Sequence, residues 1–331
     1  MAVKVAVNGT GRIGIIAAKI VSQRTDLELV AINTTAKADM LEYLFKYDSV
    51  HKGVDAKVID DNTIEINGKK VAMFRERDID KLDFGTAGAE VVLECTGVFL
   101  TEESASKHLK GGVKKVVMSA PAKDDTPTYV TNINTDDYKG EKVISNASCT
   151  TNCLAPIAKV LDDNFGIDNG LMTTIHSYTN DQNILDVKHA KDMRRARAAA
   201  VNMIPTTTGA AKAISKVMPH MKGKLNGYAM RVPTADVSVV DLTVNLKKEV
   251  SVEEINAAMS KAAETNFKGL IEIDNDKRVS SDFIGSTYSA TFVPDMTSVV
   301  EGTTVKVLAW YDNEWGYTSR LVDMATFVGT H

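Results

Sequence analysis

Cysteine is scarce in this chain, with only Cys95, Cys149 and Cys153 among 331 residues. An odd, sparse set of thiols excludes a disulfide framework and is typical of a reducing compartment. Long apolar runs are also lacking, and none approaches the roughly 20 residues that a membrane-spanning helix needs. The first residues have no apolar stretch of the kind found in secretion signals. We therefore expect a cytoplasmic protein without a membrane partner.

A strong charge of either sign is lacking as well. Lys and Arg number 39 against 43 Asp and Glu, which gives a net charge of −4. Because nucleic-acid-binding domains usually carry a basic surplus, no nucleic-acid partner is expected. Low-complexity linkers and internal repeats are not found. The length is sufficient for about two domains, each with its own apolar core.

The first part of the chain alternates short apolar strands with helices. Residues 3–8 and 29–32 have the pattern of strands, and residues 12–24 between them place apolar side chains at helical spacing. Further apolar runs occur at 91–93 and 116–118. Apolar strands separated by helices indicate an α/β fold with a parallel sheet covered on both faces.

The pattern changes near residue 149, where longer strands with alternating polarity begin. Residues 149–314 are predicted to form an α+β catalytic domain with a largely antiparallel sheet and helices near 209–218 and 251–267. The first domain is predicted to span 1–148. The C-terminal helix, 315–331, is expected to return to that first domain.

Glycines at 9, 11 and 14 follow the spacing G-x-G-x-x-G where the first strand ends and the first helix begins. They permit a tight turn and let backbone amides approach a pyrophosphate at the helix N-terminus. The motif predicts a Rossmann domain with a doubly wound parallel sheet; the alternative is a turn that only packs helix on strand. The predicted cofactor-binding residues here are Gly9, Gly11, Arg12, Ile13 and Gly14.

The end of the second strand lacks the carboxylate that usually binds the adenosine ribose. Asn33, Thr34 and Thr35 stand there instead. Two interpretations remain open. Either Asn33 bonds the ribose and NAD is used, or the missing negative charge admits the 2′-phosphate of NADP.

Cys149 is the candidate nucleophile. Ser148 is a favourable N-cap for the apolar helical run that follows, which places Cys149 in the first helical turn. The helix dipole favours a thiolate there, so we expect a lowered pKa for this thiol. Cys95 and Cys153 are expected to pack as small apolar side chains.

His176 is the candidate general base because it ends an apolar strand and enters a polar loop. A histidine that is merely satisfied inside the core remains the alternative. The other histidines lie in polar or terminal contexts and are expected at the surface: His51, His108, His189, His220 and His331.

Four segments resemble the phosphorylating glyceraldehyde-3-phosphate dehydrogenase family, and the likeness runs the whole length. They are Asn-Gly-Thr-Gly-Arg-Ile-Gly at 8–14, Ser-Cys-Thr-Thr-Asn at 148–152, His-Ser-Tyr-Thr at 176–179 and Trp-Tyr-Asp-Asn-Glu-Trp-Gly-Tyr at 310–317. The resemblance implies reversible oxidation of D-glyceraldehyde 3-phosphate to 1,3-bisphosphoglycerate, in glycolysis or gluconeogenesis. The thioester would form on Cys149, with His176 as base, NADP or NAD as hydride acceptor and inorganic phosphate as second substrate. It also implies a homotetramer, and no metal is expected.

The resemblance further implies two anion sites and several cofactor contacts. Guanidinium groups suit phosphate oxygens, and hydroxyls and amides complete such sites. The implied phosphate-binding residues are Ser148, Thr150, Thr179, Arg195, Thr208, Gly209 and Arg231. Asn313 would hold the nicotinamide carboxamide, and Arg77 and Ser119 match other cofactor-contacting positions. Arg194 and Arg197 are expected on a subunit contact or a solvated face.

The departures from the family concern cofactor choice. NAD-using members typically carry Asp where Asn33 stands, a bulky apolar residue at Thr34 and often Pro at Lys188. A bulky residue is also usual at Thr10. In this family the loop that carries Lys188 comes from a neighbouring subunit. Loss of the carboxylate and gain of hydroxyls and a cation predict that NADP is accepted and preferred.

Two alternative functions remain open. Erythrose-4-phosphate dehydrogenase resembles this scaffold but hydrolyses its thioester, whereas the intact phosphate-binding set favours phosphate as acceptor. A non-enzymatic binding or adhesion protein on the same fold is the other alternative. The joint presence of Cys149, His176, Arg231 and Asn313 argues against it.

Overall fold

The computed structural model describes residues 2–331, which form two compact units. One unit contains the chain up to Ser148 together with Thr318–His331, and the other contains Cys149–Tyr317. Each has its own eight-stranded sheet.

The first unit is built on a sheet that is parallel over most of its width. Its strands are β1 Val3–Asn8, β2 Leu27–Asn33, β3 Ala56–Asp60, β4 Thr63–Ile66, β5 Lys69–Phe74, β6 Val91–Glu94, β7 Lys115–Met118 and β8 Val143–Ser145. Their order is β3-β4-β5-β2-β1-β6-β7-β8. Only the β3–β4 and β4–β5 pairs are antiparallel. The predicted Rossmann-like parallel sheet is confirmed.

Three helices accompany these strands in sequence: α1 Arg12–Gln23, α2 Ala38–Lys46 and α3 Glu102–Ala105. The strand residues Val5, Val92 and Val116 are fully buried, as expected for a parallel sheet covered on both faces. The segment 101–109 has the helical pattern, yet α3 stops at Ala105 and a 3₁₀ turn follows.

The second unit contains a mixed, mainly antiparallel sheet. Its strands are β9 Ile167–Ser177, β10 Ile204–Thr207, β11 Leu225–Val232, β12 Ser238–Leu246, β13 Ile271–Ile273, β14 Ala290–Phe292, β15 Ser298–Val300 and β16 Thr304–Tyr311. The order is β10-β11-β9-β12-β16-β14-β13, with β15 paired to β16. The pairs β9–β11 and β13–β14 are parallel. The prediction of a largely antiparallel second sheet is confirmed.

Helix α4, Cys149–Phe165, packs against this sheet together with α5, Ala210–Val217, and α6, Val252–Glu264. Along β9 the side chains of Met172, Thr174 and His176 are buried, whereas Leu171 is exposed. This alternation follows from the two-residue period of a strand. It places His176 on a buried face of the strand.

The last helix, α7 Trp315–Thr330, contributes its residues from Thr318 onward to the first unit. The Nη1 atom of Arg24 donates to Oδ1 of Asp323 over 2.7 Å. The ring of Phe327 meets that of Tyr138 edge-on, with 5.2 Å between centroids. Within residues 2–331, no helix combines the length and the apolarity that crossing a membrane requires.

Candidate active site

The cysteine–histidine pair lies within the second unit. Cys149 is the first residue of α4, directly after Ser148, so its predicted place in the first helical turn is correct. Its Sγ atom lies 3.5 Å from Nε2 of His176. Helix start and strand end therefore bring together two residues that are 27 positions apart in the chain.

The hydrogen bonds around His176 define which ring nitrogen is the base. Nδ1 lies 2.8 Å from the carbonyl oxygen of Ser177, which can only accept, so Nδ1 carries the proton. Nε2 is then the acceptor that faces the Cys149 thiol. Nη1 of Arg231 donates to the same carbonyl over 2.9 Å and to Oγ1 of Thr179 over 3.1 Å.

Burial keeps both members of the pair neutral. It raises the pKa of the Cys149 thiol from its ordinary value, while the positive charge of Arg231 acts in the opposite direction. Burial, with repulsion from Arg231, lowers the pKa of His176 to about 3. The prediction of a thiol already ionised by its helix end is therefore wrong for this structure, because loss of water around the sulfur outweighs the favourable charges.

A buried tyrosine, whose role the sequence did not indicate, contacts His176 and the residue next to Cys149. The hydroxyl of Tyr311 lies 2.8 Å from Oγ1 of Thr150 and 2.8 Å from Oγ1 of Thr174. Its ring meets that of His176 edge-on, with 6.0 Å between centroids. The hydroxyl of Thr150, predicted to bind phosphate, is thus directed to Tyr311.

A carboxylate, also missed, lies among the predicted phosphate-binding residues. Asp181 accepts hydrogen bonds from the Thr179 hydroxyl and from Nη1 of Arg195. Burial alone would raise the pKa of Asp181, but the bond from Thr179 and the charges of Arg231 and Arg195 lower it overall. Arg195 is therefore paired inside the unit, which the sequence did not indicate.

The remaining phosphate-binding candidates, Thr208 and Gly209, directly follow two residues that Arg195 contacts. Its Nε donates to Oγ1 of Thr206 over 2.9 Å and its Nη2 to the carbonyl of Thr207 over 3.3 Å. The chain then continues into Thr208, whose Oγ1 accepts from the N–H of Ala210 over 3.2 Å, and Gly209, which caps α5.

Three arginines differ in their surroundings. Nε of Arg231 is a buried donor without an acceptor among the described residues, which is costly for a guanidinium. Arg194 lies in a short 3₁₀ turn, and Arg197 forms an exposed ion pair of 2.6 Å with Asp186. Of these arginines, Arg231 is the one suited to an anionic ligand.

Asn313 is held rigidly in the second unit. Its Oδ1 accepts from the hydroxyls of Ser177 over 2.8 Å and Ser238 over 2.7 Å. Both serines are buried, and the sequence did not single them out. This arrangement fixes the side-chain amide and directs Nδ2 away from the two hydroxyls.

The first unit has a cavity of about 640 Å³ at the carboxyl ends of β1 and β2. Five predicted cofactor residues line it: Gly9, Gly11, Asn33, Thr34 and Arg77. Cys95 lines it too, contrary to the expectation that this residue only packs in the core. The mouth of a parallel sheet is the usual place for a nucleotide.

The glycines in this cavity fit a dinucleotide. Gly9 has a φ of +96°, a conformation that side chains with a Cβ rarely adopt. A Cβ at Gly14 would lie 1.8 Å from the carbonyl oxygen of Gly9, so the turn needs glycine there. A Cβ at Gly11 would meet no atom within 4 Å and would enter the space where a pyrophosphate approaches the N-terminus of α1.

Asn33 lines the cavity, but its amide is used inside the protein. Nδ2 donates to Oδ1 of Asn8 over 2.8 Å and to the carbonyl of Glu76 over 2.7 Å. Oδ1 accepts from the N–H of Glu76 over 2.9 Å. Both donors of Asn33 are therefore used inside the protein, whereas Oδ1 keeps a second lone pair that a ribose hydroxyl can reach only as a donor, so the ribose contact of Asn33 stays a prediction.

Thr34 follows Asn33, and its hydroxyl bonds to another residue that lines the cavity. Its Oγ1 lies 2.6 Å from Oγ1 of Thr10 and accepts from the N–H of Ala36 over 3.0 Å. Thr10 thus forms a hydroxyl pair with Thr34, and both are positions at which the chain departs from the family. Both residues line the cavity.

The other predicted cofactor residues are dispersed. Arg12 opens α1 and forms a 3.0 Å ion pair with Asp48, and Ile13 follows it in the helix. Ser119 lies directly after β7, where its N–H donates to the carbonyl of Glu94 over 3.0 Å. Lys188 is exposed in a loop of the second unit.

Two histidines expected at the surface are buried, so that expectation is wrong for His51 and His108. His108 lies 3.0 Å from Oε2 of Glu94, which also accepts from Nδ2 of Asn8 over 2.6 Å. The sequence around His108 did not indicate that its imidazole would be buried against Glu94, which lies 14 positions earlier in the chain. Cys153 packs within α4 as predicted and is fully buried.

A nucleotide cavity at a parallel sheet and a cysteine–histidine pair in the other unit define a nicotinamide-dinucleotide-dependent dehydrogenase. Residues 3–102 match the family described as glyceraldehyde 3-phosphate dehydrogenase, NAD binding domain, and residues 148–313 match its C-terminal domain. The chain belongs to the glyceraldehyde-3-phosphate dehydrogenase family.

Relatives match it over almost their full length. The chain is 54% identical to glyceraldehyde-3-phosphate dehydrogenase of Geobacillus stearothermophilus, with 100% of this chain and 99% of the relative covered. It is 53% identical to glyceraldehyde-3-phosphate dehydrogenase 1 of Bacillus subtilis (strain 168), with 99% and 98% covered. A plant relative, from Atriplex nummularia, is 49% identical over 97% of this chain. The family resemblance of the motifs is confirmed.

Proposed function

We propose that this protein catalyses the reversible oxidation and phosphorylation of D-glyceraldehyde 3-phosphate to 1,3-bisphosphoglycerate. The observation that carries this proposal is the 3.5 Å contact between Sγ of Cys149 and the unprotonated Nε2 of His176. The two units would serve as dinucleotide-binding and catalytic domains.

The reaction begins with attack of the Cys149 sulfur on the aldehyde carbon. As the C–S bond forms, the thiol proton passes to Nε2 of His176, and His176 returns it to the aldehyde oxygen to give a thiohemiacetal, which leaves the imidazole neutral again. The Nδ1–H bond to the Ser177 carbonyl holds the ring in the required tautomer throughout. A neutral imidazole is the form that can accept this proton, in accord with its lowered pKa.

When bound, the nicotinamide dinucleotide supplies the hydride acceptor that allows the adduct on Cys149 to become a thioester. His176 accepts the hydroxyl proton of the adduct in this step. An oxygen of inorganic phosphate then attacks the thioester carbon, the C–S bond breaks, and Cys149 leaves as a thiolate that recovers a proton from His176.

Arg231 is the strongest candidate for binding an anionic group. It adjoins the pair through Ser177 and Thr179, and its buried Nε lacks an acceptor that a phosphate oxygen would supply. Arg195, Thr208 and Gly209 would contribute to the second phosphate position. Asp181 must then share or release Arg195 when an anion binds.

The proposed cofactor contacts follow from the first-unit cavity and from Asn313. The turn at 9–14 would hold the pyrophosphate, because its glycines leave room for the approach of backbone amides. The fixed amide of Asn313 would orient the nicotinamide carboxamide. Arg77 lines the cavity near Thr34 and would be within the same adenosine-binding wall.

A spectrophotometric assay with glyceraldehyde 3-phosphate tests the function. Activity is expected to require added phosphate and to fall by at least about 10⁴-fold in Cys149→Ser, since a serine hydroxyl is a far weaker nucleophile than a thiol. Turnover without phosphate would indicate hydrolysis of the thioester instead. Wild-type rates in Cys149→Ser would refute the proposal.

We further propose that NADP is accepted and preferred over NAD. The support is that two hydroxyls, those of Thr34 and Thr10, stand where a carboxylate would follow β2, together with the cation of Arg77. Glu76 also lines the cavity, and its Oε1 accepts from the N–H of Asp78 over 2.8 Å. Comparing kcat/KM with both cofactors decides this. A tenfold or larger advantage for NAD would contradict it.

We also propose that the protein is a cytoplasmic homotetramer. Six apolar side chains between residues 184 and 203 are largely exposed: Ile184, Leu185, Val187, Met193, Val201 and Met203. Such a concentration on one short segment supports contact with another copy of the chain. Free thiols in all three cysteines fit a reducing compartment.

A further inference from the structure

The hydroxyl of Tyr311 connects three elements of the second unit. It lies at the end of β16, 2.8 Å from Thr150 and 2.8 Å from Thr174. Thr150 is the second residue of α4, directly after Cys149, and Thr174 lies on β9 two positions before His176. One hydroxyl therefore ties the helix of the nucleophile to the strand of the base.

The ring of Tyr311 adds a second constraint. It meets the imidazole of His176 with an interplanar angle of 77° and 6.0 Å between centroids. This edge-on contact limits rotation of the imidazole, whose Nδ1 is held at 2.8 Å by the Ser177 carbonyl. Helix start, strand and ring orientation are thus all fixed by the same side chain.

The hydroxyl acts by position and not by charge. Burial, together with the neighbouring Cys149, raises the pKa of Tyr311 well above its ordinary value, so the phenol keeps its proton. It can donate to one threonine while it accepts from the other. The result is a neutral hydroxyl chain, Thr174–Tyr311–Thr150, inside the unit.

We propose that Tyr311 is a positioning residue that sets the distance between the Cys149 sulfur and the His176 imidazole. This inference rests on the proposed roles of Cys149 and His176. Without the phenol, the start of α4 and the end of β9 lose their common anchor. The proton acceptor and the sulfur then spend less time at the contact distance.

The test is the pH dependence of Cys149 alkylation by iodoacetamide, followed by mass spectrometry at that residue in the full chain. In Tyr311→Phe we expect the rate at neutral pH to fall about tenfold, because small misplacements of reacting groups carry penalties of this size. The midpoint of the pH–rate profile should move upward by about one pH unit, and kcat should fall while KM for the aldehyde stays within twofold.

Tyr129→Phe is the matched control, because Tyr129 is another buried tyrosine whose hydroxyl bonds to Glu141 in the first unit. It should leave rate and midpoint unchanged. Should Tyr311→Phe fail to fold, Thr174→Val is compared with Thr173→Val, the neighbour whose side chain is on the other side of β9. Thr174→Val is expected to slow alkylation and Thr173→Val is not.

Equal alkylation profiles for Tyr311→Phe and Tyr129→Phe, or for the two threonine variants, would overturn the positioning role. That result would leave the proposed reaction intact. Conversely, turnover by Cys149→Ser would end the proposed reaction, while the alkylation profiles would still report on the Tyr311 contact by themselves.

Discussion

Asn33 and Thr34, which are neighbours at the end of β2, differ in where their side chains form hydrogen bonds. Asn33 uses both amide donors on Asn8 and Glu76, so it belongs to the internal framework. Thr34 pairs its hydroxyl with Thr10 at the cavity wall. Two hydroxyls carry two protons, and one of these is used between Thr10 and Thr34, so one O–H remains to be offered to a ligand.

Thr10→Val removes one hydroxyl of this pair while keeping the side-chain shape. We expect binding of adenosine 2′,5′-bisphosphate to weaken about tenfold, as for loss of a hydrogen bond to a charged group. Binding of AMP should change less than twofold. Isothermal titration calorimetry measures both, with Thr63→Val, a threonine on β4 that does not line the cavity, as control. Equal weakening for the two nucleotides would contradict the prediction.

The lowered pKa of His176 predicts acid sensitivity. The folded protein keeps this ring neutral down to about pH 3, whereas an unfolded chain binds the proton near the ordinary value of 6.5. Stability from this residue is therefore full above that ordinary value and is lost as the pH falls towards the folded pKa.

When the pH falls from 7 to 5, the free energy of unfolding should decrease less for His176→Asn than for the wild type. The difference between the two decreases should be on the order of 2 kcal/mol. Thermal unfolding at several pH values measures this. His220→Asn is the control, since His220 is exposed beside Asp162. A parallel pH profile for His176→Asn and wild type would show that the ring is not kept neutral by burial.

At the scale of single elements, helix α6 illustrates how local signals act. Ser251 accepts from the N–H of Glu254 over 3.2 Å, and Glu254 accepts in return from the N–H of Ser251 over 2.8 Å. This reciprocal capping box satisfies two N–H groups that the helix itself leaves unpaired.

Ser251→Ala should destabilise the second unit by about 1 kcal/mol, because one of these caps is lost. Chemical denaturation followed by circular dichroism measures the change. Ser260→Ala, within the same helix, should be neutral or slightly stabilising, since alanine favours helix interiors. A larger loss for Ser260→Ala than for Ser251→Ala would contradict the role of the cap.

Regular periodicity explains which elements were predictable. β1 and α1 have apolar residues at clear strand or helix spacing and lie within a few residues of the predicted 3–8 and 12–24. The long strands of the second sheet lie in the region after residue 149 where alternating strands were predicted. The β3–β5 meander at 56–74 was missed because its strands are short and β3 is largely exposed. The helix expected at 101–109 was shortened because its second half adopts a 3₁₀ turn.

The site was predictable where function depends on one segment and obscure where it depends on tertiary contacts. Cys149 could be recognised in the sequence because it begins α4, and His176 could be recognised because it lies at a strand end. Tyr311 bonds to Thr150 across 161 positions, a partnership that no local pattern contains. The raised pKa of Cys149 likewise results from burial that only the folded unit creates.

At the scale of the whole molecule, the exposed apolar segment between residues 184 and 203 predicts an assembly. Ile184 and Leu185 are 81% and 76% exposed, unusual values for such side chains. Replacing both with Lys should shift the proposed tetramer to smaller species in analytical ultracentrifugation. Val300→Lys, at an exposed valine on β15, should leave the tetramer intact. A tetramer that survives the double replacement would remove this segment from the interface.

The buried chain His108–Glu94–Asn8–Asn33 has an evolutionary consequence. Because it anchors residue 33 from behind, the end of β2 does not depend on the residue that follows it. Thr34 is itself buried and accepts from the N–H of Ala36, so losing its hydroxyl leaves that partly buried donor unpaired. A lineage that replaced this threonine would have to offset lost stability against any gain in ligand contact.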